Sequence, residues 1–330
     1  MVDSVPCSFD AKFELIPELE DLLKQFYTRT NQYMQPAQKP PLLYHYTDIH
    51  GLYGIMENRC FWASNVNFIN DAEEYNYGIS QVKQSVESLD GHNKLKDEIK
   101  FFQFLSGKKQ HIYCMSFCEN KDLLSQWRGY GKGGVAFSIG IKNLSYSFAV
   151  GKMPGIHGDA LFPAYPRKII YDQSTISKVI FEWIELAQGK AFVDLLCHHK
   201  DRDRIQMSMW EALANTLPLF KHNSFQEEQE WRYIIFEPHI AEHTSGILVN
   251  HFPLLTKFRA RGDFFLPYVE LKSENIVQRN PYPRLPICEI VVGPAPKETQ
   301  ELIKANLEFY LQANSICDII VSISEIPFRK

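Results

Sequence analysis

Apolar positions recur at helical spacing between Phe13 and Tyr33, where Leu15, Ile16, Leu19, Leu22, Leu23 and Phe26 share one face. The segment Gln35-Pro36-Ala37-Gln38-Lys39-Pro40-Pro41 ends that helix, since each proline fixes φ and removes a backbone donor. A short apolar run predicts a strand over Leu42–Tyr46, and Thr47 or Asp48 caps a helix that continues through Met56. Cys60–Ser64 predicts a second strand, and Asn65–Asp71 a polar loop. The pattern is mostly helical from Ala72 to Ser106, with a break at Asp90-Gly91. It then predicts a buried strand over His111–Cys118, a helical turn over Asp122–Trp127 and a strand over Gly134–Ile139. Asn143–Pro166 has little periodicity and reads as an insertion or loop. Helices are expected at Thr175–Gln188 and Arg204–Phe220. Strands are expected at Trp231–Phe236, Phe264–Leu271, Cys288–Val292 and Asp318–Ile323, with a helix over Pro296–Ala313 between the last two.

This order predicts an α+β fold. Residues 1–41 form an N-terminal helix and proline-rich linker, and residues 42–330 one domain with a helical insertion over about 172–222. The 330 residues are 45% hydrophobic and carry a net charge of −4, which argues against a bulk electrostatic nucleic-acid binder but leaves room for a local basic patch. No apolar stretch approaches the roughly 18 residues of a membrane span, and Met1–Phe13 lacks a signal core, so a cytoplasmic protein is expected. Seven cysteines without paired CxxC spacing fit reduced thiols, and no metal site is expected.

Four polar-aromatic clusters stand at the ends of the apolar runs. They are Tyr44-His45-Tyr46-Thr47, Asn70-Asp71, Cys114-Met115-Ser116-Phe117 with Gln126-Trp127-Arg128-Gly129-Tyr130, and Glu227-Glu228-Gln229-Glu230-Trp231-Arg232. His45 and Thr47 share a strand face and suit the hydroxyls of a sugar. A satisfied structural histidine is the competing reading of His45. Trp127 and Tyr130 form either a core pair or a stacking wall for a flat ligand. Glu228 and Glu230 point to one side at the start of a strand, as catalytic carboxylates or as a solvated acidic turn; Glu230, next to the apolar strand, is the favoured carboxylate. Lys257, Arg259 and Arg261 alternate along one extended segment and present three cations to phosphates.

With these residues in view, the chain resembles a family of uncharacterised bacterial and phage proteins that carry a Tyr-His-Tyr-Thr strand, a Phe-Asn-Asp loop, a Trp-x-x-Tyr segment and a Glu-x-Glu-Trp-Arg strand. More distantly, the opening His45-Tyr46-Thr47 to Met56 resembles ADP-ribosyltransferases of the DNA-modifying DarT type. That resemblance implies a split mixed sheet with helical insertions and NAD as substrate. It assigns His45, Thr47 and Ser116 to the riboses, Trp127 or Tyr130 to the nicotinamide, Glu230 to catalysis and Glu228 to the first acid of a Glu-x-Glu pair. Cys-Met-Ser-Phe is not the Ser-Thr-Ser of arginine-modifying members, so the resemblance favours a nucleic-acid acceptor, contacted by Lys257, Arg259 and Arg261.

The expected function is therefore ADP-ribosyl transfer to DNA, RNA or another macromolecule by a toxin or phage-defence effector, with an antitoxin or regulatory protein as partner and no membrane. The alternative is a non-catalytic nucleotide or nucleic-acid sensor with the same cleft. A metal-dependent hydrolase built on His45, Asp71 and Glu230 has no closely spaced ligand motif to support it.

Overall fold

Alternate residues of the central strands enter different cores, and this division decides where the polar clusters go. A computed structural model describes residues 16–34, 39–68, 73–88, 98–108, 112–131, 134–142, 148–153, 160–164, 166–236, 256–261, 263–273 and 285–328. The Asn70-Asp71 loop, the Asp90-Gly91 break and most of the proline-rich linker lie outside the described residues.

The chain runs α1 (Pro17–Met34), β1 (Leu42–Thr47), α2 (Ile49–Asn58), β2 (Phe61–Asn65), α3 (Glu73–Glu87), α4 (Glu98–Lys108), β3 (Ile112–Cys118), α5 (Leu124–Tyr130), β4 (Phe137–Lys142), β5 (Phe148–Met153) and β6 (Ala160–Ala164). It continues through β7 (Pro166–Lys168), α6 (Gln173–Gln188), α7 (Lys190–His198), α8 (Arg202–Ala214), β8 (Glu230–Phe236), β9 (Lys257–Arg261), β10 (Phe264–Ser273), β11 (Ile287–Val292), α9 (Lys297–Ala313) and β12 (Ile320–Ile323). The strands form one mixed sheet in the order β12-β11-β4-β1-β3-β2-β10-β5-β6. β3 is its hub: one edge pairs with β8 along its whole length, and the other pairs with β1 near Cys118 and β2 near Tyr113. β7 extends the sheet beyond β8, β9 pairs with β10, and β11–β12 is parallel.

One face of the sheet carries Leu43, Tyr113, Met115, Phe117, Ile139, Trp231 and Tyr233 and packs on Leu52 and Ile55 of α2 and Leu307 and Leu311 of α9. On the other face, Ile112 and Cys114 join the larger core, where Phe26 of α1, Val82 of α3, Phe101 of α4, Trp183 of α6 and Leu213 of α8 meet. Trp183 stacks on Phe101 at 5.2 Å and donates its Nε1–H to the Met209 carbonyl at 2.7 Å, so a large ring is buried with its polar atom satisfied. A third, smaller cluster of Tyr44, Tyr46, Cys118 and Trp127 lies beneath α5. The sheet is thus a middle layer between helices. The N-terminal helix packs with the helices of the 172–222 insertion.

The caps follow the sequence. Asp48 accepts from Gly51 N at 2.8 Å at the start of α2, and Asp172 accepts from Thr175 N at 2.8 Å at the start of α6. Several elements differ from expectation. Part of the aperiodic Asn143–Pro166 stretch forms β5 and β6 at the sheet edge, where proline is tolerated and the period-2 signal is weak. Between the two helices expected at Thr175–Gln188 and Arg204–Phe220, Lys190–His198 forms a further short helix, α7, in which Phe192 is the buried residue. Among the described residues, no helix is long and apolar enough to cross a membrane.

Candidate functional site

β8 opens with Glu230 and Arg232 at alternate positions, both on the face away from Trp231 and Tyr233. That face is buried, so the two charges must find partners inside the protein. Gln229, immediately before the strand, is in the left-handed region (φ 43, ψ 51), a costly conformation for a residue with a side chain. It joins the 3-10 turn Asn223–Glu228 to β8, and Glu228 and Glu230 both reach one ammonium group.

That group is Lys221, whose side chain is 3% exposed. Its Nζ lies 2.7 Å from Glu74 Oε1, 2.7 Å from Glu228 Oε2 and 2.9 Å from Glu230 Oε2. Arg232 donates from Nε to Glu230 Oε1 at 2.6 Å and from Nη2 to Glu230 Oε2 at 2.9 Å. It also donates from Nη1 to the Pro218 carbonyl at 2.8 Å and from Nη2 to Glu74 of α3. Three carboxylates therefore meet two cations, which leaves one formal negative charge in the group.

Burial alone would raise the Glu230 carboxyl, but Arg232 and Lys221 outweigh it and hold its pKa down at about 2, with a further hydrogen bond from the Ser116 hydroxyl. Glu228 moves the other way. Its partial burial raises the pKa more than Lys221 lowers it, and its side chain is 18% exposed. Tyr130 is pushed up to about 12, first by burial and then by the charge of Glu230. Glu228 and Tyr130 thus form the end of the cluster where the anionic form is least favoured.

Five residues singled out by the sequence meet on this face. Ser116 sits directly across from Arg232 in the β3–β8 register, beside Glu230. Tyr130 stacks on Tyr46 at 6.4 Å. Trp127 is buried, meets Tyr46 edge-on at 4.7 Å and donates Nε1–H to Asp122 at 2.6 Å, so its ring belongs to the support of α5. Glu228 and Glu230 complete the five.

His45 and Thr47 are not part of this group. Across β1 and β3, His45 stands on the face of Phe117, opposite to Ser116, and its ring contacts Phe61 and Phe117 at 5.9 and 5.6 Å. Its Nδ1 shares a hydrogen bond with the Ser116 carbonyl at 3.0 Å, so the sheet itself separates His45 from the Ser116 side chain. Lys257, Arg259 and Arg261 lie on β9, separated from β3 by β10 and β2. Lys257 pairs with Glu270 at 2.8 Å, and the Arg259 guanidinium lies over the Trp62 ring at 4.7 Å and the Tyr268 ring at 5.7 Å. The side chain of Arg261 lies outside the described residues.

Glu74 and Lys221 were not singled out from the sequence, and Arg232 stood in a polar cluster without a role. A usable signal existed for Arg232: Glu228, Glu230 and Arg232 alternate into a strand that is otherwise apolar, and charges on a buried strand face require paired charges elsewhere. Lys221 and Glu74 have no local signature. Among the described residues, no group of His, Cys, Asp or Glu converges as a metal site would.

His45 supplies a test of its own placement. Burial lowers its pKa to about 4, against 6.5 for the free group. The folded state therefore holds it neutral, and the stability this contributes is present above pH 6.5 and lost as pH falls toward 4. Glu228, raised in the folded state, works in the opposite direction over the acid range. The expected result is that His45→Gln flattens the fall in melting temperature between pH 6.5 and 4. An unchanged slope would mean that His45 is not buried as a neutral ring.

Compared with known proteins, residues 126–233 match the model of a family described as a protein of unknown function, DUF2971. The matched stretch runs from within α5 into β8 and contains Trp127, Tyr130, Lys221, Glu228, Glu230 and Arg232. No curated protein and no solved structure matches the chain. The chain is thus similar, over the segment that carries most of the ionic cluster, to a family with no assigned activity.

Proposed function

We propose that the protein is a non-catalytic nucleotide- or nucleic-acid-binding protein whose ligand lies against Tyr130 and Glu228 at the open end of the ionic cluster. The observation that carries this reading is the state of Glu230. Both of its oxygens are held by two buried cations at 2.6–2.9 Å, so its charge is largely cancelled where a cation-like ribose would need it. What remains at the mouth is the phenol ring of Tyr130 and one partly exposed carboxylate, Glu228, which suit stacking and hydrogen bonding to a base or sugar. The position of His45 on the opposite face supports the same reading.

ADP-ribosyl transfer from NAD is the second reading, and Glu228 favours it. This carboxylate is the more open of the pair and its pKa is raised, as suits a group that stabilises charge or takes a proton from an acceptor. In that case Glu228 would face the ribose and Glu230 would hold Arg232 and Lys221 in place.

One experiment separates the two. The protein is incubated with NAD labelled in the nicotinamide, with and without nucleic acid, while calorimetry follows NAD binding. The expected result is binding without nicotinamide release, weakened in Tyr130→Ala. Release by the wild type that falls by about 10²–10³ in a folded Glu228→Gln variant would transfer the conclusion to ADP-ribosyl transfer. Neither binding nor release would remove both readings.

A further inference from the structure

We propose that the outer edge of β12 and the adjoining flank of α9 form an interface for a second copy of this chain, related by a two-fold axis. The proposal is independent of the nucleotide-binding reading above. Among the described residues, four strands of the sheet have a single neighbour: β6, β7, β9 and β12. Such an edge offers a row of unpaired backbone donors and acceptors to any other strand, and prolines or charged side chains are what normally keep it single. β6 contains Pro163, β7 consists of Pro166, Arg167 and Lys168, and β9 contains Lys257, Arg259 and Arg261. β12, which reads Ile320-Val321-Ser322-Ile323, has neither device. Its Ile320 side chain is 69% exposed. Ser324 N donates to the Val292 carbonyl at 2.8 Å, toward β11. Backbone groups alternate sides along a strand, so the N–H and C=O of Val321 and Ile323 point off the edge.

The charges beside this edge select the occupant. α9 buries Gln300, Leu307 and Leu311 and packs on β12 and β11, while α2 packs on β1 and β4, further into the sheet. The Tyr310 hydroxyl donates to Glu57 of α2 at 2.8 Å, which marks the flank of α9 that faces inward. At about 100° per residue, Lys297, Glu301, Lys304 and Glu308 fall on the opposite flank, the one toward the β12 edge. Their charges run plus, minus, plus, minus. Laid antiparallel against itself, this row sets Lys297 against Glu308 of the other copy and Glu301 against Lys304, each pair occurring twice. The same two-fold axis sets the two β12 strands antiparallel, with the outward groups of Val321 and Ile323 facing their copies, so strand and helix require one operation. Lys304 and Glu308 of one helix are 3.9 Å apart, a loose surface pair that costs little to rearrange.

The test is sedimentation velocity over a dilution series, with hydrogen exchange measured on the same samples. The expected result is a reversible dimer of the 38.4 kDa chain. The Val321 and Ile323 amides should exchange about tenfold more slowly, or slower still, at the concentrated end than at the dilute end. Lys304→Glu should raise the dissociation constant by about tenfold, because both Glu301–Lys304 contacts turn repulsive. Adding Glu301→Lys to Lys304→Glu should restore the dimer, since the row then reads plus, plus, minus, minus and is again complementary to itself. Ile320→Lys places a charge on the bare edge and should abolish the dimer at an unchanged melting temperature. If Ile320→Lys unfolds the protein, the Lys304→Glu variant and its double swap decide, since both positions lie on the outer flank of α9. A monomer throughout the series overturns the proposal. So does a dimer that is indifferent to Lys304→Glu, that the double swap fails to restore, or that leaves the Val321 and Ile323 amides unprotected.

Discussion

Glu230→Gln is expected to destabilise the protein by about 3–5 kcal/mol, because it leaves Lys221 and Arg232 buried with too little negative charge. The same link to charge gives a pH signature. The Glu230 pKa is held at about 2, below the 4.5 of the free group, so its contribution is complete above pH 4.5 and is lost as pH falls through 2. Acid unfolding of the wild type should therefore be steeper than that of the variant across this range. Chemical denaturation at neutral pH is the direct measurement. A loss below about 1 kcal/mol would mean that water reaches the cluster and screens it. Replacing Glu74, Lys221, Glu230 and Arg232 together with apolar residues of similar volume should cost far less than Glu230→Gln alone, since it removes the desolvated charges along with their attraction.

The second large effect is expected at Asp122, at the other end of the same sheet face. Its Oδ1 accepts from Trp127 Nε1 and from Ser324 Oγ, each at 2.6 Å, and its Oδ2 accepts from Glu325 N at 2.8 Å. One carboxylate therefore ties α5 to the segment that follows β12. Asp122→Ala leaves the indole N–H of Trp127 buried without a partner, and the expected loss is about 2–3 kcal/mol. The loss should be local. Tyr46 still accepts from Leu123 N at 2.9 Å and donates to the Asn120 carbonyl at 2.9 Å, so the start of α5 remains anchored to β1. Faster hydrogen exchange in residues 124–131 and 324–326, with unchanged protection in β3 and β8, is the outcome that supports this account. Uniform loss of protection would show Asp122 to be part of the global core.

The reach of the sequence differs from element to element. The apolar run of His111–Cys118 and the cap at Asp48 are local signals, and both appear in the structure at nearly the expected residues. β5 and β6 were not legible, because edge strands beside β10 need no alternating buried face to be paired. In the candidate site, Ser116, Trp127, Tyr130, Glu228 and Glu230 were legible as polar or aromatic residues at the ends of apolar runs. Lys221 and Glu74 were not, because a single charge in a loop or at a helix start looks the same whether it is solvated or buried.

The sequence by itself determined which residues alternate, and therefore that His45 and Tyr46 must face opposite ways, as must Ser116 and Phe117. It did not determine which of those faces look at each other. That was decided by the antiparallel register that sets Tyr44 against Cys118 and Ser116 against Arg232, which places His45 with Phe117 and Ser116 with Glu230. A shift of one residue in either pairing would exchange the faces and unite His45 with the carboxylates. The register is held by burial of Phe117, Trp231 and Tyr233 on one side and by the ion pairs of Arg232 on the other, long-range interactions that no local pattern encodes.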